Sequence, residues 1–454
     1  MLSLRPPSTA VLCAWPSLTR TRARPLTPLH TRPLSTTTLR LPSHSAHPIT
    51  LLQTRPITLL QTRPITLQQT RPITLQQTRP ITLQQTRPIT LQQTRPITLQ
   101  QSHPLSTTPP PRVVFSGIQP TGVPHLGNYL GALRQWVRLQ HDADPASTLL
   151  FSIVDLHAIT VKQHPAALQQ WRREMLASLL AVGLDPARCI LFAQSRVKQH
   201  AELMWILSCS ASMGYLARMT QWKSKLHLPD NASPLAASRD QLKLGLFSYP
   251  VLQAADILLY NTTHVPVGED QAQHLELTRD LATAFNHLYG PLLAVPETLL
   301  SPAKRVMSLA EPTKKMSKSD PKPKSRILIT DSRQLIHDKL KAALTDSIDG
   351  VTYDRDARPG VSNLVDLIYH FDPAGAASPD ELAHSLHGLS MRALKEKAAD
   401  TVDESMRPIR ERYQELMGGS QKELVAHAEQ GAQKAEAIAE STMQRIRNVM
   451  GLGW

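Results

Sequence analysis

A histidine and an asparagine stand three residues apart in the run His125-Leu126-Gly127-Asn128, which closes a glycine-rich stretch. The apolar run at 113 to 115 predicts a strand before this stretch, and helical spacing begins near Asn128. A strand, a glycine-rich turn and a helix start direct backbone N–H groups at a bound phosphate. The pattern predicts a phosphate site with a histidine donor, although most such turns in α/β proteins bind nothing.

Two lysines, Lys315 and Lys318, lie three residues apart in the run 314 to 319, among small hydroxyl residues. Such a run can surround a polyphosphate with positive charge and hydrogen-bond donors. A charged surface turn is the alternative. Lys223 and Lys225 belong to a polar stretch that predicts a mobile loop, which is either solvated or able to close over phosphates.

Asp256 is the single acidic residue of the apolar, helix-like segment 245 to 259. Aspartate is seldom buried without a partner, so Asp256 either pairs with a structural group or receives a donor from a ligand. His157 follows the predicted strand that begins at residue 148, where it is either structural or a ligand contact. A second strand, loop and helix start contains Gly268, Asp270 and Gln271, which suit a ribose or an adenine edge.

Strands alternate with helices through the middle of the chain, which favours a parallel sheet with right-handed crossovers. The predicted strands include 189 to 192 and 264 to 267, and the predicted helices include 165 to 183, 200 to 218, 245 to 259 and 272 to 288. From residue 331 onward, helical spacing predicts helices at 331 to 345, 362 to 371, 379 to 399, 401 to 418 and 420 to 450.

The first 112 residues differ in composition from the rest. They contain 13 arginines and no Asp, Glu or Lys, so they account for all but one of the 14 net positive charges. Such a composition is typical of an organelle transit peptide, here mitochondrial rather than chloroplast, and the alternative is a disordered basic tail of a cytosolic protein. An octapeptide, LLQTRPIT or LQQTRPIT, repeats from 51 to 98 and predicts a disordered spacer rather than an RNA-binding arm.

Cysteine content and hydropathy exclude other classes of protein. The three cysteines, Cys13, Cys189 and Cys209, form no CxxC pair, so neither a disulfide framework nor a structural zinc site is expected. No uninterrupted apolar stretch reaches the roughly 18 residues of a membrane-spanning helix, so we expect a soluble protein without a membrane partner.

Seven motifs together resemble tryptophanyl-tRNA synthetases of the bacterial and mitochondrial type, within class I of the aminoacyl-tRNA synthetases. They are FSGIQPTG (115 to 122), HLGNYLGAL (125 to 133), DLHAIT (155 to 160), YPVLQAADILLYN (249 to 261), VPVGEDQ (265 to 271), KKMSKSD (314 to 320) and MGLG (450 to 453). The run 315 to 319 matches the Lys-Met-Ser-Lys-Ser signature of class I at every position. The resemblance covers nearly all of residues 113 to 454.

The resemblance implies an α/β fold, with a Rossmann-like catalytic domain and helical insertion at 113 to 305. A signature linker follows at 306 to 330, and a helical anticodon-binding domain at 331 to 454. It also implies that ATP and Mg²⁺ activate L-tryptophan to an adenylate, releasing pyrophosphate, before transfer to tRNA(Trp). The composition of the leader adds the expectation that this takes place in the mitochondrial matrix. The implied partners include a second copy of the chain, and neither DNA nor a membrane.

The resemblance also assigns roles to individual residues. Phosphate chemistry is implied for His125, Asn128, Lys315 and Lys318. Contacts with ATP are implied for Gln119, Gly127, Asn128, Gly268, Asp270, Gln271, Lys315, Met316, Ser317, Lys318 and Ser319. Tryptophan contacts are implied for Asp256, which would accept the indole N–H, and for Phe115, His157, Tyr249, Val265 and Val267. Gln253 stands where bacterial members often have methionine, so an indole contact there is in doubt.

Two other functions remain open from the sequence. A tyrosine-specific enzyme, or another nucleotidyltransferase with the first signature, would share much of the pattern. An RNA-binding protein that kept the fold and lost activity is the alternative that is not an enzyme, but it need not retain His125, Asn128, Lys315 and Lys318 together.

Overall fold

A parallel five-stranded sheet forms the centre of the computed structural model. The structure describes residues 111–226, 228–229, 231–234, 242–268, 271–300, 306–318, 320–372 and 375–454. The strands are β1 (Val113–Ile118), β2 (Thr148–Ile153), β3 (Ile190–Ala193), β4 (His264–Val267) and β5 (Glu297–Leu300). Their spatial order is β3-β2-β1-β4-β5, and every pair of neighbours is parallel. The predicted α/β fold with a Rossmann-like sheet is therefore confirmed, while residues 1 to 110 of the predicted leader, with its repeats and Cys13, lie outside the described residues.

Helices connect the strands and complete the chain. In order, they are α1 (Leu126–Asn128), α2 (Arg134–Asp142), α3 (Asp155–Ala158), α4 (Pro165–Ala181), α5 (Gln199–Ser208), α6 (Met213–Arg218), α7 (Gln221–Lys225), α8 (Leu244–Leu258), α9 (Ala272–Tyr289), α10 (Arg333–Lys341), α11 (Pro359–Phe371), α12 (Pro379–Ser385), α13 (Met391–Gly418) and α14 (Gln421–Val449). A π-helical turn, Tyr129–Leu133, joins α1 to α2. In the part of the chain that the structure describes, no helix combines the length and apolarity needed to cross a membrane.

Alternate residues of the strands point into separate apolar layers on the two faces of the sheet. Leu149 and Phe151 of β2 pack in one layer with α2 and α4, whereas Leu150 packs in the other layer with α5, α8 and α9. Side chains alternate along a strand, and parallel sheets are covered on both faces. The strands are therefore apolar on both sides, and most polar side chains of the sheet region stand beyond the strand ends and on the covering helices.

Some predicted elements differ from the structure. The helix predicted at 200 to 218 is divided into α5 and α6, because the Ser212 side chain accepts from the N–H of Tyr215 and starts a new helix. The predicted division near residue 400 was wrong, since Ser390 caps α13 and that helix continues to Gly418. Strand β5 was missed, since its pairing with β4 is a contact between distant parts of the chain.

The C-terminal helices pack against the sheet region. Helix α13 contacts α4, and α14 contacts β3. Gly431 of α14 lies so close to β3 that a Cβ atom there would stand 1.7 Å from the carbonyl oxygen of Leu191. Glycine is therefore required for this approach. The predicted boundaries at residues 305 and 330 stay predictions.

Candidate active site

The carboxyl ends of β1 and β4 border a cavity of about 300 Å³. These strands are neighbours although the chain forms β2 and β3 between them, so the cavity lies at the switch point of the sheet, where open parallel sheets bind ligands. The residues predicted to contact the amino acid all line it: Phe115, His157, Tyr249, Asp256, Val265 and Val267. The structure brings these side chains together, and their contacts with a ligand stay a prediction.

Asp256 is buried on α8, and its carboxylate accepts four hydrogen bonds. Oδ1 accepts from Nε2 of Gln194 at 2.7 Å and from Nδ1 of His200 at 2.6 Å. Oδ2 accepts from Nε2 of His157 and from Nε2 of Gln194, both at 2.9 Å. Burial raises the pKa of Asp256, but His200 and His157 together lower it by a larger amount. The pKa therefore lies below its usual value. The carboxylate is ionised at neutral pH and acts only as an acceptor.

The hydrogen bonds of Asp256 decide how a ligand can reach it. A carboxylate has about four lone-pair positions, and the protein already occupies all of them. Of the three donor residues, His157 is the one that lines the cavity. A ligand N–H that approaches Oδ2 must therefore replace His157, while Gln194 and His200 keep their places behind the carboxylate.

A second polar group lines the cavity from α8 and α9. Nδ1 of His274 lies 2.8 Å from Oε1 of Gln253 and 3.1 Å from Oε1 of Gln271. Nε2 of the same ring lies 3.4 Å from the Tyr249 hydroxyl. Gln253 lines the cavity, but its side chain is already bonded within the protein.

Most of the residues predicted to bind ribose and adenine belong to the same cavity. Gln119, Gly268 and Gln271 line the cavity. Asp270 lies outside the described residues. The structure thus brings three of the four predicted residues to the cavity that holds Asp256, and their contacts with ATP stay a prediction.

His125 caps helix α1 through a reciprocal pair of hydrogen bonds. Its Nδ1 accepts from the backbone N–H of Asn128 at 3.3 Å, and Oδ1 of Asn128 accepts from the backbone N–H of His125 at 3.2 Å. A Cβ atom at Gly127 would stand 2.9 Å from the His125 ring, so glycine permits this position of the ring. Because Nδ1 is an acceptor, the ring proton is on Nε2, which is a donor.

Burial and nearby cations keep the His125 ring neutral. Its pKa is lowered to about 4, first by burial and then by Lys318, Arg326 and Lys315. The group contains donors and cations, which fit the oxygens of a phosphate rather than a metal ion.

Lys318 joins the two signature runs. Its Nζ donates to the carbonyl oxygen of Gly122 at 2.7 Å and to Oγ1 of Thr121 at 3.3 Å, in the turn that precedes His125. Burial lowers the pKa of Lys318 to about 8, so the ammonium is mostly protonated at pH 7. Gln119 of the same turn lines the cavity.

The other members of the lysine run lie in different surroundings. Lys315 is exposed and forms an antiparallel bridge with Met307. Met316 is buried in the core beside Gly127. Ser317 is half-buried, and Ser319 lies outside the described residues. Contacts of these residues with ATP stay a prediction.

Lys223 and Lys225 lie on helix α7, so the prediction of a loop at these two positions was wrong. The buried Trp222, directly before Lys223, anchors the helix by donating from Nε1 to the carbonyl oxygen of Leu216 at 3.1 Å. Lys223 is buried, and Lys225 lines the cavity with its Nζ 4.7 Å from the centre of the Tyr249 ring. Their contact with phosphate stays a prediction.

Sequence reasoning missed several residues of the site. Gln194 directly follows β3, as His157 follows the end of β2, so the rule on strand ends could have found it. His200 and His274 lie inside helices, where their spacing resembles that of any half-buried side chain. Arg326 follows the lysine run and carries no motif.

Comparison with known proteins identifies the family. The family model described as tRNA synthetases class I (W and Y) matches residues 108–407. The chain therefore belongs to the class I aminoacyl-tRNA synthetases. Its curated relatives indicate which branch of this family the chain belongs to. The mitochondrial tryptophan--tRNA ligase of Schizosaccharomyces pombe is 47% identical over 76% of this chain and 97% of its own length. Within class I, the chain is thus a member of the tryptophanyl-tRNA synthetases of the bacterial and mitochondrial type.

Bacterial relatives extend the same similarity. The tryptophan--tRNA ligase of Caldanaerobacter subterraneus subsp. tengcongensis is 43% identical over 75% of this chain and 98% of its own length. A solved structure of the Campylobacter jejuni tryptophanyl-tRNA synthetase, complexed with ADP and tryptophan, has a TM-score of 0.62 and 33% identity. That similarity covers 75% of this chain and all of the other. The predicted family is confirmed.

The low pKa of His125 predicts a pH dependence. The pKa in the folded chain, about 4, lies below the ordinary 6.5, so the unfolded chain takes up this proton first as the pH falls. Stability should be complete above about pH 6.5 and should decrease by up to about 3 kcal/mol as the pH falls towards 4. Proton NMR of the ring, assigned with His125→Gln, measures the midpoint. A midpoint near 6.5 would show that the folded chain does not lower the pKa of His125.

Proposed function

We propose that this chain activates L-tryptophan with ATP and transfers it to tRNA(Trp). One observation carries the assignment: an ionised, buried carboxylate stands in a switch-point cavity beside a cluster of phosphate-binding donors. The cavity volume is at the lower end of the range of ligand pockets, about 300 to 1,000 Å³. It suits an amino acid, with the nucleotide extending towards His125.

Asp256 supplies specificity in this proposal. The indole N–H of tryptophan donates to Oδ2 and takes the place of His157. Phenylalanine has no such donor, so its binding would remove a hydrogen bond from a buried carboxylate without replacing it. Phe115, Val265 and Val267 provide the apolar walls for the ring.

The first reaction step needs no protein nucleophile, because the tryptophan carboxylate attacks the α-phosphate of ATP. The protein therefore acts by positioning and by stabilising charge. Nε2–H of His125 and the side-chain amide of Asn128 donate to phosphate oxygens. Lys318 and Lys315 neutralise charge that moves onto the departing pyrophosphate, so Lys318 must exchange its contacts with Thr121 and Gly122 for the phosphates.

Gln119, Gly268 and Gln271 contact the ribose and adenine of ATP in this proposal, and so does Asp270. Mg²⁺ carried by the phosphates of ATP would help to neutralise the charge that develops in the transition state. The residues around His125 are donors and cations, which leaves the metal to be held mainly by the phosphates of ATP.

The amino-acid specificity can be measured directly. ATP–pyrophosphate exchange is assayed with each amino acid alone, using the chain from residue 111 onward. We expect exchange with tryptophan and little with phenylalanine, which offers no donor to Asp256. Little exchange is expected with tyrosine, in line with the 47% identity to a tryptophan--tRNA ligase. Exchange driven by tyrosine would overturn the assignment.

The role of Lys318 predicts a loss of rate. Lys318→Ala should slow single-turnover adenylate formation by roughly 10²-fold, the scale for loss of one preorganised donor to a developing charge. Lys324→Ala is the matched control, because Lys324 is an exposed lysine six residues further along the chain. An unchanged rate in Lys318→Ala, measured by rapid quench, would show that the lysine does not act on the phosphates.

Helices α10 to α14 contain the proposed anticodon-binding part, within residues 331 to 454. Members of the family bind one tRNA across a dimer. We therefore propose that anticodon contacts and aminoacyl transfer come from different copies of the chain. Charging of tRNA transcripts with changed anticodons measures this role, and equal charging of all of them would exclude it.

Exposed apolar side chains support a homodimer. Trp205 of α5 is 72% exposed, and Met213 and Leu244 stand exposed on α6 and α8, which pack in the same region. Exposed apolar patches often mark interfaces.

Trp205→Glu should shift the chain to monomers in sedimentation. Leu344→Glu changes an exposed apolar residue elsewhere on the chain and should not. A monomeric wild-type chain would contradict the dimer.

We infer a mitochondrial location, and propose the matrix, from the acid-free, arginine-rich residues 1 to 112. The S. pombe relative is named as mitochondrial. Import into isolated mitochondria, followed by protease treatment and mass spectrometry of the mature N-terminus, tests this location. If added protease digests the imported chain while the inner membrane is intact, the chain is not in the matrix.

A further inference from the structure

Three polar side chains form a hydrogen-bonded chain that leads away from the cavity. Nδ1 of His200 lies 2.6 Å from Oδ1 of Asp256, and Nε2 of His200 lies 2.8 Å from the hydroxyl of Tyr260. Tyr260 is 2% exposed, His200 is fully buried and Asp256 is 1% exposed. None of the motifs in the sequence suggested a function for His200 or Tyr260.

The direction of the hydrogen bonds follows from the carboxylate. Asp256 is an acceptor only, so Nδ1 of His200 carries a proton and donates to it. Nε2 of His200 shares the second hydrogen bond with the Tyr260 hydroxyl. Burial, and then Asp256, raise the pKa of Tyr260 well above its usual value, which keeps that hydroxyl protonated. The hydrogen bond from His200 thus points towards Asp256.

Aromatic rings surround the chain. Phe115 stacks on Tyr260 with ring centres 5.7 Å apart, and Phe192 lies 5.9 Å from His200 and 5.7 Å from Tyr260. In apolar surroundings a polar group without a partner is costly, so hydrogen bonds here strongly determine orientation. Phe115 also lines the cavity, so the same ring borders the ligand and the hydrogen-bonded chain.

We propose that His200 and Tyr260 are positioning residues that determine selectivity for a ligand N–H. His200, supported by Tyr260, fixes Oδ1 of Asp256 from the side away from the cavity. Oδ2 is then the oxygen that can exchange His157 for a ligand donor. Without His200, Oδ1 retains Gln194 alone, and the carboxylate can rotate or take up a proton. A protonated or rotated Asp256 no longer distinguishes a ligand with an N–H from one without it. The inference rests on the proposed function, in which Asp256 receives the indole N–H.

The test compares two substrates of nearly equal shape. The kcat/KM of pyrophosphate exchange is measured for L-tryptophan and for the analogue whose indole N–H is replaced by sulfur. A hydrogen bond to a charged group changes binding by roughly 10- to 100-fold, so the wild-type chain should prefer tryptophan by about that factor. The ratio of the two values is the readout, and KM for ATP is followed beside it.

Variants of the chain then separate positioning from folding. His200→Leu should lower the ratio by about tenfold or more with KM for ATP unchanged. His200→Asn should restore the ratio to within about threefold of wild type, because its amide nitrogen stands near the position of Nδ1. Tyr260→Phe removes one oxygen atom and should lower the ratio to a smaller extent, which keeps the test available if His200→Leu does not fold. Ser178→Ala, which removes another buried hydroxyl on α4, should leave the ratio unchanged.

Two outcomes would overturn different statements. If Asp256→Asn leaves the ratio at its wild-type value, Asp256 does not receive the indole N–H, and that part of the proposed function fails. If Asp256→Asn lowers the ratio but His200→Leu and Tyr260→Phe do not, the indole contact stands and the positioning role is wrong. Equal effects of His200→Asn and His200→Leu would also contradict it, since a donor at Nδ1 would then be irrelevant.

Discussion

An ionised carboxylate away from water must be surrounded by donors, and at Asp256 these donors come from separate parts of the chain. His157 stands on α3 after β2, Gln194 follows β3, and His200 lies on α5. Each donor reaches α8 only because the parallel strands place their carboxyl ends along one edge. The sheet order and the state of Asp256 are therefore coupled: the fold supplies the donors, and the donors keep the charge.

The phosphate side depends on a different kind of contact. The backbone N–H of Leu126 donates to the carbonyl oxygen of Ile327 at 2.9 Å, and that of Ile329 donates to Pro124 at 3.0 Å. These bonds bring the segment that follows the lysine run beside the first glycine-rich turn, and Lys318 adds its side-chain contacts. Asp331, paired with the buried Lys339, accepts from Leu328 and so connects this segment to α10. The two signatures are thus held together before any nucleotide binds.

Local patterns predicted the elements whose residues pack by regular spacing. Strand β4 has the predicted bounds, and α4, α8 and α9 differ from prediction by one or two residues. The division of α5 from α6, the start of α13 and the whole of β5 were not predicted. A single serine cap or a pairing with a distant strand determines these features, and neither changes the apolar periodicity of the segment.

The sequence by itself determined the motif residues, the alternation of strands with helices in the middle of the chain, and the family. It did so because phosphate and amino-acid chemistry require particular side chains at short spacings that tertiary packing does not alter. Only the tertiary structure decided how those residues are used. It filled every acceptor position of Asp256, placed Lys223 and Lys225 on a helix anchored by Trp222, and lowered the pKa of His125 through burial. Burial and hydrogen-bond partners arise between segments far apart in the chain, so no local pattern specifies them.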